Sequence, residues 1–397
     1  MTILGKFVVF VFILGCVAGA WWLLGGDFNL PIGGAQEGEE GQRQSRSRSV
    51  FSGDPVTIGI AYGTEKRRWL EWAVEEFENS EEGRKVKVEL IPMGSLEGAQ
   101  AALAGDERIH VWSPASALYT DVFVRDWTAK HGNEPLLTDD PLALTPMVFV
   151  MWKQRYDAYL QRYSRLDFVS ISEALQERSG WASISNKPEW GLFKVGHTHP
   201  NESNSGLMSL VLMSYTYHQK TQGLELADIL DGGFQDWMQQ VEGSISGLAN
   251  STGNMMRDMV LKGPSTYDAL FVYENLAIDY LKNAQGRWGD LQVAYPNRTL
   301  WNENPYYVLD APWSTEDHHE GAQVFLDFLL SEPVQRQALV HGFRPANPQV
   351  PILFPESPFV RLERFGLQVD LPTACEDPRA EVVENLLLSW QRGQARR

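Results

Sequence analysis

Apolar positions fall into three regimes along this chain. Phe7 to Leu24 reads FVVFVFILGCVAGAWWLL, without a charge, which is about the shortest run that crosses a ~30 Å hydrocarbon core as a helix. Residues 25–55 are rich in Gly, Glu, Gln, Arg and Ser and lack apolar periodicity. Such a segment buries too little surface to offset its ordering entropy, so a flexible linker is expected there. From Val56 onward, β-branched runs alternate with stretches of helical spacing. Val56–Tyr62 reads as a strand, Trp69 to Phe77 as a helix, Lys85–Ile91 as a strand, and Ser95–Leu103 as a short helix. Ile109–Trp112 reads as a third strand, followed by a helix through Val124. This β–α–β–α–β–α order predicts a parallel sheet with crossover helices.

The second half repeats that grammar after a detour. Ala143–Trp152 (ALTPMVFVMW) is a long apolar strand that leaves the first sheet. A more helical, aromatic stretch follows to about Ser183. Then come a strand over Gly191–Gly196, a helix beginning near Ser203–Gly206, a strand at Asp268–Val272, a helix from Glu274 and a strand at Gln292–Pro296. Tyr306–Leu309 would bring the chain back to the first sheet. His319–Ser331 and the segment opened by Pro333 read as helices, and Arg379–Trp390 as a terminal amphipathic helix packed on a lobe. The expected organisation is a membrane or signal segment at 1–24, a linker at 25–55, lobe 1 at 56–145 and lobe 2 at 146–303. The return to lobe 1 and the C-terminal helix occupy 304–397. Leaving one α/β lobe, building a second and returning is a clamshell topology, hinged on the strands near Thr145–Met151 and Asn302–Val308.

Composition narrows the function. With 34 Lys+Arg against 51 Asp+Glu, the formal charge is −17. No global basic field exists to neutralise phosphates, so nucleic-acid binding is not expected. Two cysteines, Cys16 and Cys375, rule out a disulfide framework and a Cys-rich metal site. Lys6 before the apolar run and acidic residues after it favour the bulk of the protein outside the cytoplasm. Because the apolar run continues through Trp21 and Trp22, an uncleaved single-pass anchor is favoured. Lipidation at Cys16 (Ile13-Leu14-Gly15-Cys16) and a cleaved signal peptide are the alternatives.

Candidate chemistry sits at strand-to-helix turns. Gly63, Thr64 and Glu65 follow the first strand, Ser113 to Ser116 the third, and Ser203, Asn204 and Ser205 open a helix in the second lobe. In an α/β sheet such turns gather at the carboxyl ends of the strands. There, helix N-termini offer unpaired N–H groups and a positive dipole end to anions or polar oxygens. Each hydroxyl taken alone is equally an ordinary helix cap. Asn254, at the start of another helix, and Tyr273 and Glu274, at the end of a strand, are further candidates to face the same cleft. Glu65 and Glu274 would oppose an anion unless they sit in the first turns of their helices, where carboxylates are favourable. His197 and His199, with Glu202 nearby, make a possible metal pair, but no third ligand is identifiable and polar loop histidines are the preferred reading. No cofactor is called for. Trp69 and Trp72 lie at core spacing, so packing outranks ring stacking on a sugar. Nucleophile-elbow, P-loop, zincin and dinucleotide fingerprints are all missing from the sequence, and no enzymatic activity is expected.

The order of segments resembles the type 2 periplasmic solute-binding proteins, particularly the molybdate/sulfate-like group. Within it, the chain is similar to bacterial solute-binding domains associated with von Willebrand factor A proteins. The resemblance spans roughly 56–350 and rests on Tyr62-Gly63-Thr64-Glu65-Lys66 with Trp69, and on Val111-Trp112-Ser113-Pro114-Ala115-Ser116. It rests also on Pro200 with Ser203-Asn204-Ser205-Gly206, and on Gly342-Phe343-Arg344-Pro345-Ala346. It implies a two-lobed extracytoplasmic binder of a small polar solute or oxyanion that serves an ABC-type permease. The alternative is a sensor or scaffold in a membrane complex, with a von Willebrand factor A-domain protein as partner.

Overall fold

The computed structural model describes residues 55–395 apart from 282, 283, 285, 286 and 372. The predicted membrane segment 7–24, and the linker up to residue 54, lie outside the described residues. Among the described residues no helix is long and apolar enough to cross a membrane.

The strands, in chain order, are β1 (Val56–Tyr62), β2 (Val86–Pro92), β3 (Val111–Ser113), β4 (Asp140–Pro141), β5 (Ala143–Trp152), β6 (Val195–Thr198), β7 (Leu248–Ala249), β8 (Ala269–Tyr273), β9 (Leu291–Ala294), β10 (Arg298–Thr299), β11 (Trp301–Asn302), β12 (Pro305–Val308), β13 (Arg344–Pro345) and β14 (Thr373–Ala374). Two main sheets result. The first has the order β2-β1-β3-β12-β4, parallel across β2-β1-β3 as predicted, with β12 and β4 added antiparallel. Alternation sends successive β1 side chains to opposite faces. Ile58, Ile60 and Tyr62 join Trp69, Phe77 and Phe325 on one side, while Ala61 joins Trp112, Phe123 and Trp127 on the other.

The second sheet is mixed, and β5 organises it. This strand pairs antiparallel with β8, β9, β11 and β13 along different parts of its length, and β8 then continues in parallel to β6 and β7. Both faces of β5 are covered. Val148, Val150 and Trp152 enter one core and Met147, Phe149 and Met151 the other, which is why the sequence shows an unbroken apolar run rather than an alternation. The Asn204–Tyr217 helix is buried on nearly every side, consistent with its continuous apolar character.

The two sheets are joined at the expected crossing. Thr145 of β5 pairs with Asn302 of β11, and the chain re-enters the first sheet at β12. One expectation needs correction. The segment beyond β13 does not stay with the first lobe: Phe359, Leu362 and Phe365 join the core of the second sheet, and Val382, Val383, Leu386 and Trp390 of the Ala380–Ala395 helix pack with Phe234, Met238 and Val241. A buried ion pair fastens that helix. His197 Nδ1 lies 2.7 Å from the Thr198 carbonyl and Nε2 lies 2.8 Å from Glu242 Oε1, so both ring nitrogens face acceptors. Trp390 Nε1 donates to Glu242 Oε2 at 2.6 Å. Burial opposes the charged imidazole, but Glu242 more than compensates and the His197 pKa is raised. Both of its nitrogens being engaged, His197 is not available for the metal pair considered above.

Candidate functional site

A cavity of about 450 Å³ opens between the two sheets, within the usual size range of small-molecule sites. From the first lobe it is bordered by the turn after β1 (Gly63 to Glu65), by Arg67 and Arg68, and by the turn after β2 (Gly94, Ser95, Glu97). The second lobe contributes Ser203 and Asn204, the Asn250–Asn254 segment that opens a helix, Arg257, and Tyr273 at the end of β8. Strand ends thus converge on one gap, as the α/β rule requires.

The predicted residues divide into those at the cavity and those behind it. Gly63, Thr64, Glu65, Ser203, Asn204, Asn254 and Tyr273 border it; Ser113, Ser116, Ser205 and Glu274 do not. Ser113 is fully buried, and its hydroxyl has no partner among the described residues. Its carbonyl accepts the Gly63 N–H at 3.1 Å, so β3 spends this residue on holding the neighbouring turn. Ser116 caps Leu118 and donates to Asn204 Oδ1 at 3.0 Å, joining the two lobes beneath the cavity. Asn204 Nδ2 in turn donates to Tyr273 Oη at 3.2 Å and to Asn302 Oδ1 at 3.0 Å.

Ser205 is the centre of a hydroxyl cluster. Its Oγ lies 2.6 Å from Thr198 Oγ1, 2.6 Å from Thr252 Oγ1 and 3.3 Å from Ser203 Oγ. The end of β6 and the starts of two helices are pinned together by it. Glu274 is buried behind the cavity lining. Its carboxylate is chelated by Arg344 Nε and Nη2, each at 2.8 Å, and also accepts from the Tyr295 hydroxyl. Burial alone would lower the Arg344 pKa, but Glu274 outweighs it and raises it. Arg344 belongs to the Gly342–Ala346 turn, so that turn and the Glu274 helix start form one structural unit.

Glu65 is balanced differently. Lys66 is fully buried, and its Nζ donates to Glu65 Oε1 at 2.7 Å, to the Pro114 carbonyl at 3.0 Å and to Asn304 Oδ1 at 3.1 Å. Burial lowers the Lys66 pKa, against the pull of Glu65. The Glu65 carboxylate also occupies the space under Gly63, where an added Cβ would meet Oε1 at 2.2 Å.

The expectation of freely offered amides is only partly met. The Gly63 N–H goes to Ser113, the Gly94 N–H to Glu97 Oε2 at 3.0 Å, the Ser203 N–H to the His199 carbonyl, and the Asn254 N–H to Ser251 Oγ. The helix starts aim positive dipole ends at the cavity, but much of the donor set there is side chain. Trp69 is fully buried against Phe343, at 5.8 Å between centroids, and donates to the Val334 carbonyl; its packing role stands.

Residues not nominated from sequence include the β2 turn, Arg67, Arg68, Arg257, Asp279 and His341. The β2 turn obeyed the same strand-end rule as the others, and Gly94-Ser95 was its signal. Arg68 pairs with Asp279 across the mouth of the cleft. His341 Nε2, which has no partner among the described residues, lies close by, and burial, then Arg68, lowers the pKa of that ring.

Residues 58–344 match the family model of the bacterial extracellular solute-binding proteins. The chain belongs to that family. Solved structures with the same architecture include the sulfate-binding protein SubI from Mycobacterium tuberculosis H37Rv (TM-score 0.56, 17% identity, covering 86% of this chain and 99% of that one). Maltose-bound MalE3 from T. maritima aligns with TM-score 0.58 and 13% identity over 86% of this chain and 94% of that one. Iron-bound HitA from Pseudomonas aeruginosa aligns with TM-score 0.55 and 14% identity over 86% and 99%. At these identities the likeness is one of fold, the two-lobed periplasmic-binding-protein architecture. No curated protein matches the sequence. For a solute-binding protein, the gap between the sheets is the expected seat of the ligand.

Proposed function

We propose that this protein captures a small polar solute in the gap between its lobes and hands it on without chemical change, as the binding component of an ABC-type transporter. The observation that carries this reading is the 450 Å³ cavity bordered by helix starts and polar side chains from both lobes. A solute touching both walls stabilises the closed form by its differential affinity for it. Gly63, Thr64, Glu65, Ser203, Asn204, Asn254 and Tyr273 would contact it directly. Ser116 and Ser205 would act from behind, by positioning Asn204 and the helix starts. Residues 7–24 and 25–55 we read as an anchor and tether that hold the body outside the cytoplasm.

A thermal-shift panel of oxyanions, sugars and amino acids tests the reading. A bound solute raises the melting temperature through a stabilisation of RT ln(1 + [L]/Kd), about 2.7 kcal/mol at one hundred times Kd. A panel without any shift, together with co-purification of a von Willebrand factor A-domain protein, would favour the scaffold role instead.

A further inference from the structure

The class of solute can be narrowed, on the reading just given that the cleft holds one. The chain as a whole is strongly acidic, at −17, but the uncompensated charge at the cavity has the opposite sign. Three carboxylates border it, and each is engaged. Glu65 is paired with buried Lys66, Asp279 is paired with Arg68, and Glu97 accepts the Gly94 N–H at the positive end of its own helix. Among the described residues Arg67 and Arg257 border the same cavity with no carboxylate at ion-pair distance. Burial raises the Tyr62 pKa, and the neighbouring Arg67 opposes that rise.

These two arginines come from opposite walls. Arg67 opens the Arg67–Glu78 helix of the first lobe, and Arg257 lies on the Thr252–Lys262 helix of the second. That second helix packs directly against the Thr64–Lys66 turn, which immediately precedes Arg67 in the chain. An anion held between the two arginines would draw the lobes together. Size and lining add a second constraint. A cavity of about 450 Å³ is in the range that holds organic ligands rather than a single tetrahedral ion. Thr64, Ser203, Asn250 and Asn254 give it hydroxyl and amide groups suited to a polyol.

We propose that the cleft takes a hydroxylated organic anion, a sugar phosphate or sugar acid, with its charge shared by Arg67 and Arg257 and its hydroxyls on the Thr64, Ser203 and Asn250–Asn254 side. Guanidinium groups suit this task because their planar donors match phosphate and carboxylate oxygens.

Calorimetric titration of the full chain with glucose 6-phosphate, gluconate, glucose and inorganic phosphate tests the assignment. At least one of the two organic anions is expected to bind at least ~10-fold more tightly than glucose and than inorganic phosphate. Arg67→Gln and Arg257→Gln are each expected to weaken that binding about 10-fold, the scale of one lost charge-assisted contact. Both side chains are exposed, so the unliganded melting temperature should not move. Arg108→Gln, whose guanidinium pairs with Asp106 away from the cavity, should bind like the wild type. The proposal is overturned if glucose or inorganic phosphate matches the organic anions, if neither organic anion binds, or if both arginine variants bind unchanged. A thermal shift with any neutral solute in those cases keeps the solute-binding reading and removes only the anion. If no solute of any charge produces a shift, both are lost.

Discussion

The two walls of the cleft are rigid for different reasons. Behind the first wall lies a buried ion pair, Lys66 with Glu65, which also ties the β1 turn to Pro114 and Asn304. The second wall has a buried pair of its own, Glu274 with Arg344, but its Ser203–Asn204 turn is held by neutral groups: the Thr198–Ser205–Thr252 hydroxyls and the Ser116–Asn204–Asn302 chain. A charged support fails abruptly, since removing one partner strands the other in a poorly solvated site. A hydroxyl network fails by degrees, because each missing bond leaves at most one group unsatisfied.

The largest expected effect follows from that difference. Lys66→Met should cost about 3–5 kcal/mol in urea unfolding, the usual consequence of leaving a buried charge unpaired. Adding Glu65→Gln to it should recover most of the loss. If the double variant is no more stable than the single one, the first wall is not held by this pair. Ser205→Ala should cost less, about 1–3 kcal/mol, and a double-mutant cycle with Thr252→Ala should show coupling between the two. Strict additivity would argue that the hydroxyl cluster is incidental.

Smaller still in stability, but larger in binding, is Gly94→Ala. The Gly94 φ of −65° suits alanine, yet the added Cβ would lie 2.8 Å from the Glu202 carbonyl of the opposite lobe. Unfolding free energy should change by less than about 1 kcal/mol, while the radius of gyration in saturating solute should stay at the open value. Normal closure in this variant would show that the lobes do not need to meet at Gly94.

The gentlest test concerns the His197–Glu242 pair, which fastens the C-terminal helix to the second lobe. His197 has a raised pKa in the folded state. Its contribution is therefore complete below the ordinary imidazole value of about 6.5 and declines as pH rises through the raised one. The difference in urea midpoint between wild type and His197→Gln should shrink steadily from pH 6 toward pH 9. A difference that is flat with pH would mean that the ring is neutral in the pair.

How legible was this architecture in the sequence? The two lobes and the crossing at β5 and β12 were visible because buried β-branched runs and strand-end turns have local signatures. The site was half visible for the same reason. Ser203 and Ser205 stand two apart on one turn, and no local rule says that Ser203 borders the cavity while Ser205 turns inward to Thr198 and Thr252. Glu274 resembled a cleft carboxylate because its partner, Arg344, lies 70 residues away. The antiparallel character of the second sheet was hidden because full burial of β5 erases the alternation that would have marked it. Arg257 carries no motif; only the folded arrangement sets it opposite Arg67. The terminal helix announced its apolar face but not which lobe would receive it, since Phe234, Met238 and Val241 are distant in the chain.

The most direct check on the cleft itself is native mass spectrometry of the full chain purified from its own host, compared with an Asn254→Trp variant. Residue 254 is exposed and borders the cavity, so the indole should fill the gap without disturbing the fold. The expected result is one small molecule per wild-type chain and none on the variant. A wild-type chain that is always bare, or a molecule retained undiminished by the variant, would contradict a solute seat between the lobes.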